Sequence, residues 1–454
     1  MQKTLFIKLI VISIVSLLLL IPLGLVEGIV TERSSYRYEV ALDIAQSWTG
    51  KQDVVGPILS VPYKRKITHK IWDKELEKYI SHVQYQKALY HYLPDDLKIN
   101  GYSSTQERYR GIYKVPVYSS KLDIMGSFDL SHDPATEDAA ITMLWKEAFL
   151  SVEIADIRGI KSELKLLWNG KNSEFLPGTN LYFLKQGVNA KVGKSKLNRV
   201  KSNNFSFHLD LNGIESLRFS PIAKTTTIAL RSSWPHPKFI GRFLPQKREI
   251  SDEGFTADWS TTHFSTNMAA RLTACNEGEC VGFDQDLFGV AFVQPVDIYH
   301  QAERSIKYAI LFILLTFVIF FIFEMRKRSP IHPIQYGLVG LGLAIFYLLL
   351  VSLSEHLAFG LAYFISSFAC IALLSFYVSH VMKDRGRGLS FGAMLAFLYG
   401  ILFTLIRLED YALLMGTFLV FVTLAATMYF TRRINWYEAV ENIPLSNKVG
   451  RNEL

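Results

Sequence analysis

Charge is almost missing from the interiors of six long apolar stretches in this chain, and cysteine occurs only three times in 454 residues. Each scarcity removes a class of function. Without ionisable side chains inside the apolar stretches, there is no sign of the buried charges that ion and proton pathways use. A zinc centre at Cys275 and Cys280 would need two more ligands, and no second Cys/His pair of suitable spacing lies nearby in the sequence. The chain also contains no His-Glu-x-x-His, no phosphate-binding loop and no dinucleotide fingerprint. Internal repeats and long disordered linkers are absent as well.

What is abundant is apolar sequence, and it is spread unevenly. One greasy segment runs from Leu5 to Leu25, a long polar and aromatic-rich stretch follows from Glu27 to Arg304, and five apolar segments fill the region from Ser305 to Tyr429. A bilayer core of about 30 Å takes on the order of 20 apolar residues per helix, which each segment meets or nearly meets. The expectation is an α-helical membrane protein with six transmembrane helices and a large β-rich domain between the first two. Residues 1–26 form the anchor, 27–304 the domain, 305–431 a five-helix bundle and 432–454 a tail. The later helices are placed at Ser305–Phe323, Ile334–Val351, Ala358–Val381, Ser390–Ile406 and Tyr411–Tyr429. A cleaved signal peptide is the alternative for the first segment, because Lys3 and Lys8 precede a Leu-rich core, but no small-x-small cleavage pair follows it.

Lys and Arg resist translocation, so the short loops set the orientation. Arg326, Lys327 and Arg328 lie on one side with Lys383, Arg385, Arg387, Arg432 and Arg433, whereas on the other side Ser352–Leu357 has neither residue type and Arg407–Asp410 has one. Both termini are therefore expected in the cytoplasm and the large domain outside. The formal charge of +8 is explained largely by these flanks, and no nucleic-acid partner follows from it.

Within the outer domain, Phe205, Phe207, Leu209 and Leu211 alternate with polar residues, the period of a half-buried strand. Asn212-Gly213 then predicts a hairpin turn into Ile214–Phe219. Leu150, Val152 and Ile154 alternate similarly, and Thr225–Leu230 is Thr- and Ile-rich. Tyr36, Val40, Ile44 and Trp48 recur every fourth residue, the spacing of a helix. An antiparallel sandwich-like domain is expected. Cys275 and Cys280 bracket a short loop that can close as a disulfide if the chain turns at Gly278; free thiols are the other reading. Cys370 falls inside an apolar helix and reads as packing.

Two sets of residues imitate enzyme motifs. Gly388-Leu389-Ser390-Phe391-Gly392 matches a nucleophile elbow but sits between a basic loop and a membrane helix, where its glycines suit close helix approach. Ser162-x-x-Lys165, Ser202-Asn203-Asn204 and Lys224-Thr225-Thr226 imitate the three motifs of penicillin-interacting enzymes, yet Ile160–Leu166 alternates like a strand. No catalytic residue, metal or cofactor is assigned. Glu324, Lys307, Arg407, Glu409 and Asp410 all fall at helix ends, where side chains reach water or headgroups. Glu355, His356, Arg407, Glu409 and Asp410 share two very short outer turns; they read either as solvated loop ends or as a cluster that docks the domain or a partner.

Several longer stretches carry a resemblance. They are Glu32-Arg33, Gly56-Pro57-Ile58-Leu59 with Val61-Pro62-Tyr63, Trp234-Pro235-His236-Pro237, Lys307-Tyr308, Phe323-Glu324, Ile331-His332-Pro333-Ile334-Gln335-Tyr336, Ser352-Leu353-Ser354-Glu355-His356 and Glu409-Asp410-Tyr411-Ala412-Leu413-Leu414. Together they resemble the CreD family of bacterial inner-membrane proteins over essentially the full length. The resemblance implies a Gram-negative inner membrane, a periplasmic domain, and a role in envelope integrity and stress response linked to a two-component system and to colicin tolerance. It supplies no catalytic residue or ligand. Beyond the lipid bilayer itself, the expected partner is a periplasmic cell-wall, lipid or protein component bound by the domain. A transporter or insertase-like machine is the alternative, and an enzyme is not expected.

Overall fold

The structure, a computed structural model, describes residues 2–73, 78–193, 197, 202–294, 298–327, 331–407 and 412–432. The chain divides into two compact units: Met1–Tyr38 with Val296–Leu454, and Glu39–Pro295.

The second unit is built on one long strip of β-sheet that folds back on itself. Strands β1 (Gln52–Asp73) and β2 (Lys78–Tyr92) form a long antiparallel ribbon. Strands β3 (Asp96–Arg110) and β4 (Tyr113–Phe128) form a second one. The strand Lys171–Pro177 links the two halves of the strip, pairing with Lys165–Trp168 on one side and Gly187–Lys191 on the other. Side chains from both halves meet in one core, as at Tyr118 with Phe292 (4.7 Å between ring centres) and Trp259 with Phe288 (6.1 Å). Most pairings are antiparallel. Two are parallel, Gln52–Val54 with Leu217–Phe219 and Asp96–Ser103 with Thr225–Ser232, so the sheet is mixed rather than purely antiparallel.

The alternation at 205–211 is realised: Phe205, Phe207, Leu209 and Leu211 are buried, whereas Asn204 and His208 are exposed. The strand Phe149–Ile154, which pairs with β1 and with Gly187–Lys191, is buried at every position, so both of its faces are covered. The hairpin expected at Asn212-Gly213 does not form. The strand continues through both residues to Ile214, with Asn212 opposite Ser119 and Gly213 opposite Tyr118. The chain turns later, at Glu215 (φ 57°), and Ser216–Phe219 pairs elsewhere. Gly213 is needed for close approach, since a Cβ there would collide with the Tyr118 ring, and the Asn212 side chain accepts a hydrogen bond from Ser119 Oγ at 2.7 Å. A glycine beside an asparagine thus marks contact here, not reversal.

Four helices among the described residues are long and apolar enough to cross a membrane: Ile10–Ser47, whose last residues belong to the second unit, and Pro333–Ser354, Phe359–Val381 and Arg385–Arg407 in the first. A fifth crossing results if Ile298–Lys307 and Ala309–Phe321, bent by 43°, act together. A further helix covers Ala412–Thr431. The apolar anchor expected to end at Leu25 continues as a single helix, Leu20–Ser47, through the segment that reads separately as amphipathic. The two segments differ in pattern. Ile298–Lys307 buries Tyr299, Ala302, Ser305 and Ile306 on one face and carries His300, Glu303 and Lys307 elsewhere, whereas Ala309–Lys327 is apolar almost all round until its last turn.

Gly388 and Gly392 let Arg385–Arg407 approach Phe359–Val381. A Cβ at Gly388 would collide with Ser379 and the Ser375 carbonyl, and one at Gly392 with the Ser375 side chain. Ser390 is exposed and donates to the Gly386 carbonyl at 2.9 Å, within a helix and not on a strand-to-helix turn.

Candidate functional site

The most chemically distinctive group in the β-unit assembles around His91. The β1–β2 register sets Ser60 directly opposite His91, and Ser60 Oγ lies 2.9 Å from His91 Nδ1, with both residues buried. The helix Met268–Asn276 brings in the cysteines. Its last residue clasps the His91 backbone: His91 N–H donates to Asn276 Oδ1 at 2.7 Å, and Asn276 Nδ2 donates to the His91 carbonyl at 3.2 Å. Cys275 therefore ends up beside the imidazole. The chain then reverses at Gly278 (φ 113°), and the Glu279 N–H returns to the Ala274 carbonyl at 2.8 Å. Cys280 is joined to Cys275 as a disulfide. A His91 ring nitrogen and the two sulfurs all lie within 4.8 Å of one another, and all three residues are buried.

Aromatic rings wall this group. Phe183 meets the His91 ring edge-on at 5.3 Å and packs on Phe283 at the same separation. Burial holds the His91 imidazole at about 4, below its ordinary 6.5, so the ring is neutral near neutral pH. The Tyr182 hydroxyl donates to the Gly278 carbonyl and accepts from the Cys280 N–H, each at 3.4 Å. Just beyond, Asp286 is 2% exposed on its side chain and takes hydrogen bonds from Arg271 Nη1 at 2.8 Å and Arg242 Nη1 at 2.6 Å. Arg271 also donates to the Gly282 carbonyl at 2.7 Å, tying the cysteine loop to its helix. Sequence reasoning finds the cysteines and the turn at Gly278 but not His91. Asn276 and His91 are 185 positions apart, and only strand register and the helix end bring them together.

Three members of the expected outer-turn cluster, Glu355, His356 and Arg407, lie among the described residues. Glu355 Oε1 accepts from the Tyr299 hydroxyl at 3.0 Å and lies 3.6 Å from Arg33 Nε. Arg407 is exposed and stacks its guanidinium 4.8 Å from the Phe403 ring centre. Among the described residues no ion pair joins Glu355 to Arg407. His356 is exposed, and Glu409 and Asp410 lie outside the described residues. Glu324 is a correction: it does not reach water but is buried, accepting from the Tyr336 hydroxyl at 2.9 Å and the Ile331 N–H at 3.0 Å. The next helix start creates that environment. His332 caps it, Pro333 opens it, and Gln335 Oε1 accepts from the His332 N–H at 3.0 Å, which turns Ile331 and Tyr336 toward Glu324.

The three segments that imitate a penicillin-interacting site do not meet its structural requirement. Ser162 precedes the strand Lys165–Trp168 and lies on no helix, while Asn203 and Thr225 begin separate strands. His236 is exposed, with its ring edge toward Trp234, whose Nε1 donates to the Val293 carbonyl at 2.9 Å.

Several apolar helices joined to a large β-rich unit define a multi-pass membrane protein. The family model described as "Inner membrane protein CreD" matches residues 4–437. Inner membrane protein CreD of Escherichia coli (strain K12) is 36% identical over 421 residues, covering 93% of this chain and 91% of that one. The chain belongs to the CreD family, and its place is the inner membrane.

Proposed function

We propose that this protein is a non-enzymatic envelope protein with six crossings, cytoplasmic termini and a periplasmic β-unit, and that it supports envelope integrity under stress by binding a partner through the β1–β2 ribbon. One observation carries the reading. β1 has a third neighbour only as far as Lys66: Ile141–Met143 pairs with Tyr63–Arg65, and the Lys66 N–H donates to the Ala140 carbonyl at 2.8 Å. Beyond that point the described ribbon is two-stranded, and Lys66, Thr68, Lys70 and Trp72 share one face with Tyr79, Ser81, Val83 and Tyr85, all exposed. A lone two-stranded ribbon is marginal in water, so a partner that covers it contributes stability as well as recognition. Lysines interleaved with Trp and Tyr suit an anionic partner with apolar surface.

The test is in-cell photo-crosslinking from Val83 and Tyr85, with Lys171 as an exposed control on the body of the unit. Adducts specific to the ribbon, lost with Lys66→Glu and Lys70→Glu together with the envelope phenotype, are expected. Identical adducts from all three positions would defeat the reading. A second reading, substrate handling by the helices, draws on buried Glu324, because carboxylates enclosed in membrane helices are often functional. It predicts that Glu324→Gln abolishes the phenotype while the protein remains inserted.

A further inference from the structure

We propose that Cys275, Cys280 and His91 form a redox-gated site that binds one monovalent copper ion when the disulfide is reduced. The gate is thiol–disulfide exchange with a dithiol: its two thiols become a disulfide, and two electrons and two protons pass to Cys275 and Cys280. Copper binding then releases those two protons as both sulfurs become thiolate ligands.

Geometry favours this assignment. The two sulfurs and a His91 nitrogen are already within 4.8 Å of one another. Nδ1 of His91 is bonded to Ser60, so the ligand role is assigned to Nε2. A metal-bound histidine ordinarily has such a partner on its other nitrogen to fix the ring. The loop does not depend on the sulfur–sulfur bond for its shape. The Asn276 clasp, the Glu279–Ala274 hydrogen bond and the Arg271–Gly282 hydrogen bond hold it from outside, so reduction leaves both thiols beside the imidazole. Among the described residues no fourth His, Cys, Asp or Glu joins the group. Zinc in closed protein sites takes four ligands, whereas two soft thiolates and one imidazole in a buried, three-ligand setting suit monovalent copper.

The test uses the full chain in detergent under anaerobic conditions, with a chromophoric copper(I) chelator as competitor. Reduced protein should take one copper(I) per chain, and the unreduced protein none; because these are the same polypeptide, misfolding does not explain the difference. Cys275→Ser and Cys280→Ser should lose the site, and His91→Ala should bind at least about tenfold more weakly, in the range found when ligand shells are disturbed. Should His91→Ala fail to fold, Ser60→Ala must still weaken binding. X-ray absorption should show two sulfurs and one nitrogen around the copper. Equal uptake before and after reduction overturns the proposal, as does uptake by the serine variants or an all-sulfur shell. Preference for zinc over copper(I), when both are offered to the reduced protein, overturns the choice of metal.

Discussion

Asp286→Ala should destabilise the β-unit by about 3–5 kcal/mol, the usual cost of removing one member of a buried ion pair. The carboxylate is 2% exposed and Arg271 is 14% exposed on their side chains, so truncation strands the Arg271 charge away from water. Arg242 is 61% exposed on its side chain and can turn to solvent, so Arg242→Ala should cost no more than about 1 kcal/mol. A change of 1 kcal/mol shifts the midpoint of a unit this size by about 2–4 °C. The Asp286→Ala midpoint should thus fall by on the order of 10 °C, read by tryptophan fluorescence of the full chain in detergent. Asp286→Leu with Arg271→Met should recover most of the loss, because the uncompensated charge is gone. Equal costs for Arg242→Ala and Asp286→Ala would refute the reasoning, as would an Asp286→Ala midpoint within a degree of the parent.

The unreduced protein should lose stability on acidification. His91 is held at about 4 against 6.5 in the unfolded chain, so the unfolded state takes up a proton that the folded state refuses. The contribution is fully present above about 6.5 and falls away toward pH 4, by about 3 kcal/mol in all; chemical denaturation across that range should show the slope, and His91→Gln should flatten it. Gly388→Val should lower folded yield through a clash costing about 1–3 kcal/mol, while Ser390→Ala should leave yield unchanged; equal yields for both variants would contradict the close helix contact. Cysteines placed at exposed Lys247 and His356 should react with an impermeant thiol reagent from the periplasm, and ones at Ser329 and Ser446 should not; outside labelling at Ser329 would overturn the proposed orientation. Arg158→Ala should fray the end of the Leu20–Ser47 helix, where its guanidinium caps the Gln46 carbonyl at 2.8 Å and the Ala45 carbonyl at 3.3 Å. Amide exchange should rise there, with a loss of about 1 kcal/mol or less.

The sequence by itself determined the class of protein. Long uncharged runs have few ways to satisfy their backbone other than as helices in lipid or in a core, and the alternation at 205–211 needs no distant partner to be read. It also placed the start of the next helix at Ile334, one residue from the observed start at Pro333, while the His332 cap was seen only in the structure. Tertiary structure decided the rest. Asn212-Gly213 carries the local signature of a turn, yet Tyr118 packing against Gly213 and Ser119 bonding to Asn212 hold it extended. Glu324 looks solvated from its place at a helix end and is enclosed because the following helix start folds Ile331 and Tyr336 over it. His91 beside Cys275 and Cys280 left no trace in spacing, since register across β1 and β2 and the end of a distant helix bring them together. Local propensity and hydropathy act over a few residues and survive in sequence. Contacts between segments far apart in the chain depend on how whole elements pack, and that is settled only when the chain has folded.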